Sequence, residues 1–166
     1  MTKLILFLKK IGVEVVVVFF YILLINNYLG NVDTTINADG EGYYDYLPSA
    51  FIHNDLQRNN ATIEQDTALY DRISKYGFYV DYHGYKVNKY PCGTAVLESP
   101  FFFFAYLTTP LEYNDNDGYQ SPFQKAVFYS TLFYLFLALF FFGRSLRLFN
   151  INRVVIILLQ ILLVFE

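Results

Sequence analysis

The sequence predicts an all-α membrane protein, with transmembrane helices and a largely helical outer loop that lies on the membrane surface. Three observations predict it. The 166 residues are 55% hydrophobic and only 16% charged, against roughly 25% charged in a soluble globular domain, and the mean hydropathy is +0.30. Apolar runs recur near both ends, separated by a polar stretch from 30 to 93. Basic residues cluster beside those runs, at Lys3, Lys9 and Lys10 and again at Arg144, Arg147 and Arg153.

The first run, Ile11 to Leu29, has 19 residues. As a helix it covers about 28 Å, near the hydrocarbon thickness of about 30 Å. Glu14 is its one charge, and its thirteen Leu, Ile, Val and Phe residues outweigh it. A signal peptide is the competing reading, but Asn26-Asn27-Tyr28-Leu29-Gly30 offers no small-x-small cleavage site. The run is therefore read as an uncleaved anchor.

Glu41 to Asn54 reads as a helix bent at Pro48. Thr62 and Gln65 frame a helix start, and the spacing of Ile63, Leu69 and Ile73 predicts a helix over 63–76. Phe78 to Gly84 alternates and reads as a short hairpin. The uncharged run Ser99 to Leu111 has 13 residues, a length more typical of an interfacial helix than of a span. Thr94 to Leu107 is expected to be that helix, with Pro100 bending or starting it. Ala126 to Phe142 is uncharged for 17 residues and, with its flank from Pro122, forms the second span. Val154 to Phe165 opens a third.

Charge sets the topology. Residues 30 to 121 hold five basic residues against thirteen acids, and both basic clusters lack acids. The positive-inside rule places the clusters in the cytoplasm and the loop outside. The expected division is 1–29, cytoplasmic N-terminus and first transmembrane helix; 30–121, outer loop; 122–143, second transmembrane helix; 144–153, cytoplasmic basic linker; and 154–166, the start of a truncated third helix. The protein is placed in the cell (inner) membrane as a multi-pass protein.

The net charge of −3 gives no reason to expect nucleic acid as a partner. One cysteine, Cys92, builds neither a disulfide framework nor a Cys/His metal site. His53 and His83 lie far apart. The chemistry concentrates in Asn37-Ala-Asp39-Gly-Glu41-Gly-Tyr43-Tyr44-Asp45-Tyr46-Leu47-Pro48. Asp39 follows the first span by ten residues, so it stays near the bilayer face. A carboxylate there can take a proton from a hydroxyl or amine acceptor. The same residue can instead cap the helix that starts near Glu41, with Glu41 a first-turn dipole partner. Lys89 precedes Tyr90-Pro91, which directs the chain back toward the membrane, and a lysine can meet a phosphate as a point charge. Lys86 is the weaker candidate, as a solvated loop lysine. Tyr43, Tyr44, Tyr46, Tyr79, Tyr82, Tyr85 and Tyr90 can stack on sugar faces or simply favour the membrane interface.

The order of these pieces resembles a known family. An anchor helix is followed by Asp39-Gly-Glu41-Gly-Tyr43-Tyr44 and by Lys89-Tyr90-Pro91-Cys92-Gly93-Thr94. Then come a proline-broken aromatic helix through Pro100-Phe101, Asp117-Gly118-Tyr119, and a span with basic residues at its inner end. This is similar to the N-terminal part of the GT-C superfamily of membrane glycosyltransferases, of the protein O-mannosyltransferase and aminoarabinose transferase types. The resemblance implies inverting transfer of a sugar from a polyprenyl-phosphate donor to an acceptor outside the cytoplasm. It implies catalytic roles for Asp39 and Glu41 and substrate binding by Tyr43, Tyr44, Lys89 and Tyr90. The lipid bilayer and the lipid-linked donor are the expected partners. No cofactor is expected and no metal ligand is assigned, a divalent metal being left open. Members of the family have many more spans, so the chain reads as a fragment, inactive alone if truncated. The competing function is a small non-enzymatic membrane protein whose acidic outer loop binds a partner. A channel piece would want charge at mid-bilayer, and Ala126 to Phe142 has none.

Overall fold

The computed structural model describes residues 13–24, 32–56, 77–109 and 117–165. The helix expected over 63–76 lies outside them. The described chain is mostly helical: α1 (Val13–Leu24), α2 (Asp39–Tyr44), α3 (Tyr46–Phe51), α4 (Gly93–Thr108), α5 (Ser121–Leu148) and α6 (Arg153–Phe165). An antiparallel hairpin of β1 (Tyr79–Tyr82) and β2 (Tyr85–Asn88) corrects the all-α expectation. The hairpin forms because His83 and Gly84 both take positive φ, 49° and 84°, as a two-residue primed turn requires. Tyr82 then pairs with Tyr85, and Tyr79 with Asn88.

The chain divides into two compact units, 1–31 with 131–166, and 32–130. In unit 32–130, α2 and α3 read as one helix interrupted at Asp45. The Asp45 N–H still donates to the Glu41 carbonyl (2.8 Å), and the Ser49 N–H to the Asp45 carbonyl (3.0 Å). What is missing is a donor at Pro48, which has no N–H to offer at the i+4 position from Tyr44. The interruption therefore shows one turn ahead of the proline. Pro100 also lies inside a helix, α4, which runs on without interruption. It cannot donate to the Val96 carbonyl, and the Ser99 hydroxyl donates there instead (2.8 Å).

The core of this unit gathers Tyr44, Leu47, Ala95, Phe102, Tyr119 and Phe123. The Phe102 ring meets Phe123 at 5.4 Å and Tyr44 at 6.1 Å between centroids. Gln124 is buried, and both ends of its amide are used. Its oxygen accepts from the Ile36 N–H (2.6 Å), and its nitrogen donates to the Tyr119 carbonyl (3.1 Å). Gly118 has φ 81°. A Cβ there would lie 2.8 Å from both Pro48 Cβ and Ile52 Cδ1, so only glycine fits.

In the other unit α1 packs against α6. The Gln160 amide, almost wholly buried, donates to the Leu139 carbonyl (2.9 Å). Among the described residues, Ser121–Leu148 is the one helix long and apolar enough to cross a membrane by length and composition. It runs five residues past Gly143, so Arg144 and Arg147 ride on it, and Arg153 begins α6. The connection between α5 and α6 is residues 149–152. Asn150 takes a left-handed φ of 57°. Its N–H donates to the Arg147 carbonyl (3.0 Å) and that of Ile151 to the Leu146 carbonyl (3.4 Å), a Schellman ending. Asn152 then caps α6 through the Val154 N–H (2.8 Å).

Candidate active site

The site is assembled by the hairpin. Its return strand ends at Asn88, a buried side chain whose amide donates to the Gly42 carbonyl (2.7 Å) and accepts from the Tyr90 N–H (3.0 Å). The Tyr46 hydroxyl adds a bond to the Tyr90 carbonyl (2.6 Å). These bonds lay Tyr90 across Gly42, where a Cβ would meet the Tyr90 ring at 2.2 Å and Phe78 Cβ at 2.9 Å. The glycine is thus needed for space and not for turn geometry.

Tyr90 is the meeting point. Its hydroxyl donates to the Asp39 carboxylate. Its ring lies 4.6 Å from that of Tyr43, and the Lys89 ammonium stands 5.2 Å from its centroid. The hydrogen bond to Asp39, with smaller contributions from burial and from the charge of Asp39, pushes the phenol up to about 12. The structure therefore brings together Asp39, Tyr43, Lys89 and Tyr90, an acid, two phenols and an ammonium.

Asp39 is not a helix cap. Ala38, with φ 50°, holds the cap position without a side-chain bond, and Asp39 is the first helical residue, its carboxylate taken by Tyr90. Glu41 is buried behind it, 6% exposed. Tyr44 is a correction to the sequence reading. It is 1% exposed, and its hydroxyl donates to the Gly118 carbonyl (2.6 Å), so it belongs to the core and presents no face to a sugar. Lys86 stands in register with Asp81 on the hairpin, leaving Lys89 as the lysine at the corner. Among the described residues no group of three His, Cys, Asp or Glu could hold a metal ion.

The sequence reading gave Asp45 no role. It is fully buried. One carboxylate oxygen accepts from the Tyr119 hydroxyl (2.8 Å), the other from the hydroxyls of Ser49 (2.8 Å) and Tyr79 (2.9 Å). A buried carboxylate is costly unless hydrogen-bonded, and here three hydroxyls meet it. Through them α2 and α3 are tied to the hairpin and to the segment before α5. Helical spacing carried the signal: Glu41, Asp45 and Ser49 fall four apart on one face.

No protein-family model, no curated protein and no solved structure matches this chain.

Proposed function

We propose that this chain forms the acidic outer-loop corner of a membrane glycosyltransferase that moves a sugar from a polyprenyl-phosphate donor to an acceptor outside the cytoplasm. Asp39 takes the proton from the acceptor hydroxyl or amine as its oxygen or nitrogen attacks the anomeric carbon. The bond from that carbon to the phosphate oxygen breaks, and the polyprenyl phosphate leaves with its charge opposed by Lys89. The configuration inverts. Tyr90 holds Asp39 in place through its hydroxyl, and Tyr43 offers a ring face to the sugar.

The observation that supports this reading most is the convergence of Asp39 and Lys89 on Tyr90. A base for the acceptor and a cation for the donor phosphate must stand within one substrate length of each other. Residues 30–121 lie outside the cytoplasm and both basic clusters inside, in a multi-pass arrangement with the first span at 11–29, the second at 122–143, and α4 along the outer surface. Exposed Val96, Leu97, Phe104 and Leu107 on α4 suit that surface position.

The experiment is transfer from a radiolabelled polyprenyl-phosphate sugar in membranes carrying the intact protein. Lys89→Ala should raise the KM for the donor about tenfold or more, in keeping with loss of a charged phosphate contact. An unchanged donor KM argues against the donor assignment. Transfer by no donor of this class, together with capture of a partner through the exposed Val80, Tyr82, Tyr85 and Val87 of the hairpin, favours the non-enzymatic reading.

A further inference from the structure

We propose that Glu98 is a proton-operated latch on α4, holding that helix against α2 and α3 while it carries a proton and releasing it when ionised. The inward face of α4 is the stripe Ala95, Glu98, Phe102 and Ala105, at helical spacing. Three of the four are core residues, 3%, 1% and 4% exposed respectively for Ala95, Phe102 and Ala105. Glu98 is the acid on that stripe and the only charged residue of α4. Its Oε2 is shut off from water and has no hydrogen-bond partner among the described residues. A carboxylate with an oxygen in such a place loses part of its hydration without a hydrogen bond to replace it, a cost that a carboxylic acid largely avoids.

Among the described residues, the groups on neighbouring elements do not relieve it. On α2 stand Asp39, bound by Tyr90, and Glu41. No charged residue lies on α3, and Asp45 at its head already accepts three hydroxyls. The first turns of α5 bear Lys125, which is exposed. Burial is accordingly the cause that pushes the Glu98 carboxyl up to about 7. The sign follows. The docked helix binds a proton more tightly than the released one, so docking is favoured at low pH. It weakens as pH rises from the ordinary carboxylate range to about 7, and above that it changes no further. With Glu98 partly exposed, the docked-to-released ratio falls on the order of tens-fold across that window.

The latch acts near the candidate site. α4 begins at Gly93, three residues after Tyr90. Its release frees one end of the segment that holds Lys89 and Tyr90 against α2. This consequence rests on the site reading above, but the latch itself does not.

Cys92, exposed and next to the start of α4, is the chain's only cysteine and takes a single nitroxide label. The test is the electron paramagnetic resonance spectrum of the labelled full chain in detergent micelles from pH 5 to 9. Wild type should pass from an immobilised to a mobile label as pH rises toward about 7, with no further change above it. His83→Asn, which removes the hairpin histidine, should leave the transition in place. Glu98→Gln should hold the immobilised spectrum throughout, as should Glu98→Leu if the amide does not fold by circular dichroism. A flat wild-type profile, or a transition that survives Glu98→Gln or Glu98→Leu, overturns the latch. The readout involves no sugar transfer, so failure of the glycosyltransferase reading leaves it standing.

Discussion

The Tyr90 hydroxyl donates to the Asp39 carboxylate across 51 positions of sequence, with the Tyr90 ring laid over Gly42. The bond occupies a carboxylate at the start of a six-residue helix and gives it a partner two residues past the returning strand. It also predicts a titration. With its phenol raised to about 12, Tyr90 should ionise after tyrosines near the ordinary value of about 10. In a difference ultraviolet titration, Asp39→Asn should move one tyrosine back toward that value. Because the folded value is raised, the contribution of this bond to stability is complete below about pH 10 and is lost as pH rises through about 12. A tyrosine count unchanged by Asp39→Asn contradicts the assignment.

Gly42 and Gly40 make a matched pair. At Gly40 a Cβ would meet nothing within 4 Å, while at Gly42 it would strike the Tyr90 ring at 2.2 Å. Gly40→Ala should stabilise by about 0.4–1 kcal/mol through the unfolded chain. Gly42→Ala should destabilise by about 1–3 kcal/mol, as an overpacked site does, and should release Tyr90 from Asp39. Thermal unfolding of the two variants in one detergent checks both signs.

The Asp45 cluster predicts a ranking. Tyr119→Phe and Tyr79→Phe each remove one donor to a buried carboxylate and should cost about 1.5–3 kcal/mol. Asp45→Ala leaves three hydroxyls without their acceptor and should cost more than either. Asp45→Ala matching wild type in thermal unfolding would remove the cluster from any structural role.

The described helices and part of the hairpin were legible because each rests on local rules: apolar run length for α5, the Phe78–Gly84 alternation for the first strand and turn of the hairpin, and proline for the break ahead of Pro48, whereas α4 runs unbroken through Pro100 and the second strand extends to Asn88. The corner at Asp39 was legible in part. Asp39, Tyr43, Lys89 and Tyr90 were named from local composition and family resemblance, but their junction at Tyr90 depends on Asn88 reaching the Gly42 carbonyl, a long-range bond with no sequence mark. Tyr44 was misplaced because adjacent tyrosines on a helix point in different directions, Tyr43 to the surface and Tyr44 to Phe102 and Tyr119. Asp45 was passed over because a carboxylate amid tyrosines looks solvated until Tyr119, 74 residues away, is known to close over it. Arg144 was assigned to a linker, although the apolar run ends before the helix does. Nothing in its charge stops a helix, and it lies 5.2 Å from the Phe140 ring one turn back.

Topology gives a fourth prediction. Cys92 is exposed in the loop proposed to lie outside. A membrane-impermeant maleimide should label it in intact cells. With Cys92 replaced by serine, an introduced Ser145→Cys should react only after permeabilisation. Labelling of Ser145→Cys from outside would contradict the proposed sidedness.

The proposed role of Asp39 in activating the acceptor is read from the rate of sugar transfer from a polyprenyl-phosphate donor by Asp39→Asn in the intact protein. Asparagine keeps the shape and can still accept the Tyr90 hydroxyl, but it cannot take a proton. Loss of a general base typically costs about 10²–10⁴ in rate. Asp39→Asn should lower kcat by that much with donor KM little changed; transfer at the wild-type rate would mean that Asp39 is not the base.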